Sequence, residues 1–361
     1  MGCKLNRNLS PHLPAIASTP TAECARKGHS VTIDIFTHFF PKRYLQELSD
    51  RGAGLGAIAG RMKGLPAILD LEARFRAMDV LDDYKQIVAL PNPAVEDVAS
   101  PTVAADLARI GNDDLALIVD RHADRFPAFV ASVSLLDIDV ALTEIRRAIE
   151  QLGAKGIQIY SNIAGKPLDL PEFLPIFRLM ADYDLPIWLH PTRTAAMSDY
   201  RSEAKSRYEM WWCFGWPYET SVAMARLAFS GIFDRHPDLK IITHHLGGMV
   251  PFYEGRLGPG MKFLGNRTPD EDYSTVLTSL KKPHIDYFRM FYADTAMFGG
   301  TAGLPTGLTF FGTDRIVFAT DAPFAPIRET FDALNELDLT AQDRQKILEG
   351  NARKLLKLSS V

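Results

Sequence analysis

Short apolar runs alternate with longer amphipathic stretches along the chain from residue 31 onwards. The apolar runs, in order, are VTIDIF, YKQIVAL, FPAFVASVSL, AKGIQIY, LPIWLHP, LKIITHH, FRMFYADTA and DRIVFATDAPF. Each predicts a strand, and each is followed by a predicted helix, such as DVALTEIRRAIEQLG. Eight strand–helix units predict an α/β protein with parallel strands, a (β/α)8 TIM barrel with insertions. A doubly wound open sheet is the competing architecture, because the number of strands does not exclude it.

The domain organisation follows from the same pattern. Residues 1–30 are rich in Pro, Ala, Ser and Thr and lack the apolar core of a signal peptide, which predicts a poorly ordered tail. Residues 31–361 are predicted to form a single barrel domain. Residues 50–69 follow the first strand and residues 192–214 follow the fifth, and loops this long usually serve function or are mobile. In a barrel, loops of this kind lie on the face that carries the active site.

Composition and charge exclude several classes of partner. The chain has 361 residues, of which 47% are hydrophobic, and a formal net charge of −4. It has no basic stripe that would indicate a nucleic-acid partner, and no apolar run approaches the ~20 residues needed to span a bilayer. Cys3, Cys24 and Cys213 are few and far apart, so we predict no disulfide framework and a reducing, cytoplasmic location.

Polar residues that suit metal binding stand at the carboxyl ends of the predicted strands. They are His38, His190, His244, His245, Asp294 and Asp321. Any one of these histidines alone is more typical of a hydrogen-bonded or surface residue, and the two aspartates also suit helix N-caps. Because the carboxyl ends of parallel strands meet at one mouth of a barrel, the coincidence across several strands favours a nitrogen/oxygen site for Zn or a similar divalent ion.

The motifs around these residues resemble a known family. IDIFTHFFP, PIWLHP, IITHHLGGMVPFYEGR, FYADTA and FATDAPF are similar, in this order, to the aminocarboxymuconate-semialdehyde decarboxylase-like branch of the amidohydrolase superfamily (amidohydrolase family 2). The resemblance covers nearly the whole chain from Val31. It implies a distorted (β/α)8 barrel, one divalent metal ion and non-oxidative decarboxylation of a carboxylated ring or unsaturated acid. Some members are hydrolases or hydratases instead.

The resemblance also implies roles for single residues. His38, His190 and Asp321 match metal ligands, and His245, which precedes LGGMVP, matches the catalytic histidine beside the metal. Zinc is the first choice of metal, with manganese, iron or cobalt as alternatives. His244 matches no family role. Because neighbours on a strand point in opposite directions, we expect His244 to lie behind the site, as a supporting residue.

Phe36 departs from the family pattern, since family members usually carry His or Glu at this position. Strand alternation predicts that Asp34, Phe36 and His38 share one face, which would point the phenyl ring towards the metal. A phenyl ring cannot coordinate a metal. Three protein ligands plus water still make a normal catalytic zinc site, so two alternatives stay open: a working site with an apolar wall, or a weakened or empty one.

Further residues are candidates for substrate binding. Cations that could hold a substrate carboxylate are found in both long loops, aromatic residues could pack against a flat substrate, and one aspartate ends the seventh strand. The candidates are Arg61, Lys63, Arg201, Arg207, Trp211, Trp212, Phe36 and Asp294. For each loop cation the alternative is a solvated charge, and for the tryptophan pair it is ordinary packing or an interface.

These residues support three hypotheses about function. The preferred one is a metal-dependent carboxy-lyase acting on a small-molecule carboxylate, in which His245 moves a proton. The second keeps the metal but hydrolyses an amide, lactone or ester, with Asp321 as the base. The third is a non-catalytic helper subunit of a hetero-oligomer, for which Phe36 is the support. The resemblance to the family suggests a homodimer.

Overall fold

A computed structural model describes residues 31–359 of the protein. The strands are β1 (Thr32–His38), β2 (Tyr84–Ala89), β3 (Ala128–Phe129), β4 (Ala131–Ser132), β5 (Ile157–Tyr160), β6 (Asn162–Ile163), β7 (Lys166–Pro167), β8 (Ile187–His190), β9 (Ile241–Thr243), β10 (Tyr292–Asp294) and β11 (Ile316–Val317). All pair in parallel except β6 and β7, which form a small antiparallel hairpin outside the main sheet. The eight predicted strand regions therefore all contain strands.

The parallel strands close into a barrel. The hydrogen-bonded orders are β1-β2-β3 and β11-β10-β9-β8-β5-β4. Backbone hydrogen bonds join these two sets at both seams. Val130 N donates to Val88 O at 2.9 Å, so β3 and β4 act as one interrupted strand, and Ile35 N donates to Phe318 O at 2.9 Å, which joins β1 to the chain after β11. An open doubly wound sheet has no such second seam, so the predicted (β/α)8 barrel is confirmed.

Helices surround the barrel, and each of the predicted helical stretches contains at least one of them. They are α1 (Lys42–Asp50), α2 (Ile58–Met62), α3 (Leu71–Met78), α4 (Val95–Val98), α5 (Pro101–Arg121), α6 (Ile138–Glu150), α7 (Leu174–Tyr183), α8 (Met210–Cys213), α9 (Gly215–Phe229), α10 (Ile232–Arg235), α11 (Glu254–Leu257), α12 (His284–Phe288), α13 (Gly303–Phe311), α14 (Ile327–Asn335), α15 (Ala341–Gln345) and α16 (Asn351–Leu356). Helix α6 shows why they form. The Asp137 side chain accepts from Val140 N at the first turn, and Ile145 is buried against the sheet.

A β-bulge in β1 decides which side chains enter the barrel. Asp34 pairs with Gln86 and Thr37 pairs with Val88, so three steps along β1 match two steps along β2. The extra residue on β1 changes which side chains point into the barrel. Phe36 belongs to the apolar cluster inside the barrel. Val88, the β2 partner of Thr37, belongs to the other cluster, between the barrel and the helices. The prediction that Asp34 shares a face with Phe36 is therefore wrong, because strand alternation does not continue through a bulge.

Two predictions concern features beyond the barrel itself. No helix in the described part of the chain is long and apolar enough to cross a membrane. The predicted tail, residues 1–30, lies outside the described residues, so that prediction stays untested.

Candidate metal and catalytic site

His38 and Asp321 meet where the ends of β1 and β11 approach each other. His38 Nε2 lies 3.0 Å from Asp321 Oδ1, and the side chains are 1% and 9% exposed. The backbone of Asp321 has a φ of +68°, a left-handed conformation that costs a non-glycine residue about 1 kcal/mol or more. Its N–H donates to Phe36 O at 3.2 Å, which helps to hold this conformation. The two residues come from opposite ends of the chain, and the closed barrel brings them into contact.

His190 lies beside this pair at the end of β8. Its Nδ1 is 2.6 Å from the carbonyl oxygen of Pro191, which leaves Nε2 as the nitrogen available to a metal ion or substrate. Its ring centroid is 5.7 Å from that of His38. Two imidazoles that share an ion with metal–nitrogen bonds of about 2.1 Å have centroids roughly 5–6 Å apart. Burial, assisted by the nearby His244 and His38, holds the pKa of His190 well below its usual value, so the ring is neutral at neutral pH.

His244 forms a second histidine–carboxylate pair, with Asp294 of β10. Its Nδ1 lies 2.5 Å from Asp294 Oδ2, and both residues are fully buried. The expectation that His244 lies behind the site is wrong, because its ring centroid is 5.2 Å from that of His190 and 3.4 Å from that of Phe36. Strand alternation does not govern this residue, since β9 ends at Thr243.

Asp294 was also a candidate for substrate contact, but the structure buries its side chain completely. Its side chain is 0% exposed, with one oxygen against His244 and the other accepting from Ala296 N at 3.1 Å. Burial raises the pKa of Asp294 to about 6, although His245 and the backbone N–H groups around it oppose that rise. The geometry therefore gives Asp294 the role of orienting His244.

A tight turn after β9 places His245 at the mouth of the barrel. His245 and Leu246 both have left-handed backbones, with φ of +51° and +57°. Gly248 follows with a φ of +62°, and a Cβ there would lie 2.4 Å from the Pro217 carbonyl oxygen of α9. Only glycine allows this close approach. The result is that the half-buried His245 lies beside His244, with ring centroids 5.9 Å apart, and its Nδ1 is buried without a hydrogen-bond partner in the described structure.

Aromatic rings surround the histidines. Phe36 lies among them, with its centroid 4.3 Å from His38 and 5.6 Å from His190. Trp216, at the start of α9, has its centroid 5.4 Å from His190 and 6.4 Å from His245. Trp216 was not among the predicted residues, although it belongs to the aromatic cluster WWCFGWP in the sequence.

The predicted tryptophan pair lies one layer further out. Trp211 and Trp212 contact Trp216, with centroid distances of 6.0 and 6.5 Å, and neither has a ring contact with the histidines. Trp212 also packs against Phe298, at 5.8 Å. Within residues 31–359, Trp216 is therefore the tryptophan whose ring contacts the site histidines, and the predicted pair packs against Trp216.

Of the four predicted loop cations, one reaches the neighbourhood of the site. Arg61 Nη2 donates to Phe324 O at 3.0 Å, and the Phe324 ring has its centroid 5.7 Å from that of His38. Arg207 pairs with Glu203 within its own loop, at 3.6 Å. Lys63 and Arg201 are exposed, and within residues 31–359 no hydrogen bond or ion pair joins either of them to a histidine.

The donors fit a divalent metal in type and in pair spacing. An ion about 2.1 Å from each of two donors at a tetrahedral angle holds those donors roughly 3.4 Å apart, close to the separation of His38 Nε2 and Asp321 Oδ1. Within the part of the chain that the structure describes, no three His, Cys, Asp or Glu side chains already converge as a complete metal site. His38 Nε2 and Asp321 Oδ1 are in direct contact at 3.0 Å, so an ion bound between them would need these two atoms a few tenths of an ångström further apart. The ligand assignment stays a prediction.

Comparisons with known proteins identify the family of the chain. The sequence model of the family described as "Amidohydrolase" matches residues 33–358. The chain belongs to the amidohydrolase family. A γ-resorcylate decarboxylase of Polaromonas sp. is 33% identical over 302 residues, which are 81% of this chain and 89% of that enzyme. A 2-amino-3-carboxymuconate-6-semialdehyde decarboxylase of Dictyostelium discoideum is 31% identical over 265 residues, 72% of this chain and 69% of that protein.

A solved structure extends the comparison to the whole barrel. The 5-carboxyvanillate decarboxylase of Novosphingobium aromaticivorans, complexed with manganese and 4-hydroxy-3-methoxy-5-nitrobenzoic acid, superposes with a TM-score of 0.77 at 28% identity. The match covers 91% of this chain and 96% of that chain. The predicted family, its decarboxylase branch and its barrel fold are therefore confirmed for this amidohydrolase.

Proposed function

We propose that this amidohydrolase is a divalent-metal-dependent decarboxylase that removes a carboxylate, as CO2, from an aromatic carboxylic acid. The observation that carries the proposal is the contact of His38 with Asp321 at the barrel mouth, with His190 at metal-sharing distance from His38. The named relatives are decarboxylases, which favours this reaction over hydrolysis at the same centre.

His38, His190 and Asp321 would hold the metal. When bound, the ion would supply a Lewis acid that stabilises negative charge on substrate oxygens. Two imidazoles and a carboxylate accept either zinc or manganese, and manganese is the ion in the related 5-carboxyvanillate decarboxylase complex. Zinc stays our first choice for this chain.

The chain's own groups supply the proton and the binding surface. His245 stands partly exposed at the mouth, where it can donate a proton to the ring carbon that carries the carboxylate. The bond between that carbon and the carboxylate carbon then breaks, CO2 leaves, and the electron pair returns to the ring. His245 recovers its proton from solvent. Trp216 and Phe36 offer ring faces and edges that a flat aromatic substrate can pack against.

The test is CO2 release from a panel of aromatic acids that includes γ-resorcylate and 5-carboxyvanillate. The protein is stripped with a chelator and then reloaded with Mn²⁺ or Zn²⁺. We expect turnover only after metal is restored, and in D2O we expect one deuterium at the carbon that lost its carboxylate. Metal-loaded protein that releases no CO2 from any acid, but cleaves a panel of esters and lactones, would establish the hydrolase alternative instead.

Metal content separates the proposal from the helper-subunit alternative. After expression with added metal, a working site is expected to hold close to one equivalent of a divalent transition metal. Less than about a tenth of an equivalent would favour a non-catalytic subunit, because a degenerate ligand set binds too weakly to survive purification.

A further inference from the structure

His244 has a buried nitrogen that the proposed function leaves unexplained. The residue is 0% exposed, and its Nδ1 is engaged by Asp294 at 2.5 Å. Its Nε2 is buried and has no hydrogen-bond partner within residues 31–359. Buried polar atoms nearly always have a partner in native proteins, so an unpartnered one calls for an explanation, such as a water molecule, an ion or a catalytic role.

The position of the ring shows which group fits. The centroids of His244 and His190 are 5.2 Å apart, and those of His190 and His38 are 5.7 Å apart. Both separations suit imidazoles that share one ion through bonds of about 2.1 Å. His190 therefore lies between two histidines, each at a distance compatible with a common metal.

Phe36 packs directly against the imidazole ring of His244. Their ring centroids are 3.4 Å apart with an interplanar angle of 35°. Phe36 points into the histidine cluster but carries no donor atom. The chain thus has an inward side chain that cannot coordinate, packed against an adjacent imidazole with an unused nitrogen.

We propose that His244 Nε2 is a ligand of the metal ion, supplying the donor that Phe36 cannot, and that Asp294 is its positioning residue. The inference rests on the proposed function in that both require a bound divalent ion. With Nδ1–H donating to Asp294, the lone pair of His244 is on Nε2, the buried nitrogen that has no hydrogen-bond partner within residues 31–359. A carboxylate behind a histidine is a common arrangement for fixing the tautomer and orientation of a metal ligand.

The experiment measures metal affinity by competition with a chromophoric chelator, using Zn²⁺ and Co²⁺, and records the visible spectrum of the Co²⁺ form. The variants are His244→Ser, Phe36→His and the double variant, with His236→Ser, directly after the outer helix α10, as the matched control. We expect His244→Ser to weaken metal binding roughly 100-fold or more and to change the Co²⁺ spectrum. Phe36→His should restore affinity to within about tenfold in the double variant, and the control should bind as the wild type does.

Asp294→Asn gives a second measurement in case His244→Ser folds poorly, because it is isosteric. It should weaken metal binding about 10–100-fold, as expected for loss of an orienting carboxylate. Wild-type affinity in both His244→Ser and Asp294→Asn, with an unchanged Co²⁺ spectrum, would overturn this inference and leave the proposed function standing. A wild-type protein that binds neither ion would overturn both.

Discussion

Two histidine–carboxylate pairs lie in the mouth of the barrel, and they are built in opposite ways. In the first, His38 Nε2 lies 3.0 Å from Asp321 Oδ1, so the carboxylate contacts the Nε2 atom of the imidazole. In the second, His244 Nδ1 lies 2.5 Å from Asp294 Oδ2, so the carboxylate contacts Nδ1. The Nε2 atom of His244 has no hydrogen-bond partner within residues 31–359.

The difference separates two uses of a carboxylate. Asp321 stands on the same side of the ring as any ion that His38 would bind, so it would become a ligand itself. Asp294 stands behind His244, where it can orient the ring without touching an ion. The two aspartates also differ in exposure, since Asp321 keeps a small exposed fraction whereas Asp294 has none.

The largest effect is expected from Asp321→Asn. An amide keeps the shape and can still accept a hydrogen bond from His38, but it removes the negative charge that a divalent ion requires. We expect kcat to fall about 1,000-fold or more, with metal content well below one equivalent and little change in melting temperature. Asp314→Asn is the matched control, because Asp314 is 79% exposed and its partner is Lys346. Full activity in Asp321→Asn would remove Asp321 from the metal site.

The next effect concerns His245, the neighbour of His244. In His245→Gln we expect kcat for decarboxylation to fall about 100- to 10,000-fold, which is the usual contribution of a general acid. Metal content and affinity should stay at wild-type values, because the turn places His245 beside the cluster and not inside it. Loss of metal in this variant, together with normal metal in His244→Ser, would exchange the roles of the two histidines.

Sequence patterns predicted the barrel and most of the residues at its mouth, because both depend on strand position. A histidine at the end of an apolar run lies at the barrel mouth whatever its detailed conformation. This reasoning was sufficient for His38, His190 and Asp321. His245 was also named as a strand-end residue, and its catalytic role was implied by the resemblance of the following LGGMVP to the family motif.

The errors arose where backbone irregularity changes the direction of a side chain. A bulge in β1 turns Asp34 away from the face that carries Phe36, and nothing in the letters IDIFTH shows that bulge. His244 follows the last residue of β9, so the alternation that predicted its direction had already ended. Trp216 was missed for another reason: α9 brings it over His190, and a helix offers no strand-end signal.

A third buried carboxylate, that of Asp34, accepts hydrogen bonds from groups other than histidine. Its donors are the Tyr84 hydroxyl, the Thr320 N–H and hydroxyl, and Phe36 N–H. Burial raises its pKa to about 7 although these hydrogen bonds oppose the shift. The folded protein therefore holds this proton between about pH 4 and 7, where the unfolded chain has lost it. This contribution to stability is complete at low pH and is lost as the pH rises through 7.

Comparison with Asp34→Asn, which does not titrate, isolates this contribution. From pH 5 to pH 8 the free energy of unfolding of the wild type should fall by about 2–3 kcal/mol relative to the variant. Urea unfolding at several pH values measures the difference. A difference that does not change with pH, or that moves in favour of the wild type as pH rises, would show that Asp34 is ionised throughout.

The smallest effect is expected from Arg61→Ala. This variant tests whether the long loop at residues 50–69 contributes to substrate binding at the site formed by the two histidine–carboxylate pairs. Arg61 reaches the site through the Phe324 carbonyl, and the Phe324 ring in turn packs near His38. Losing one exposed hydrogen bond of this kind should loosen the loop without moving either histidine–carboxylate pair. We expect KM for the aromatic acid to rise about 3- to 10-fold, equivalent to roughly 1 kcal/mol, with kcat nearly unchanged. Arg267→Ala, at an exposed arginine outside the site, is the control. A fall in kcat with KM unchanged would instead mean that Arg61 stabilises the transition state. The catalytic site would then include the loop as well as the two histidine–carboxylate pairs.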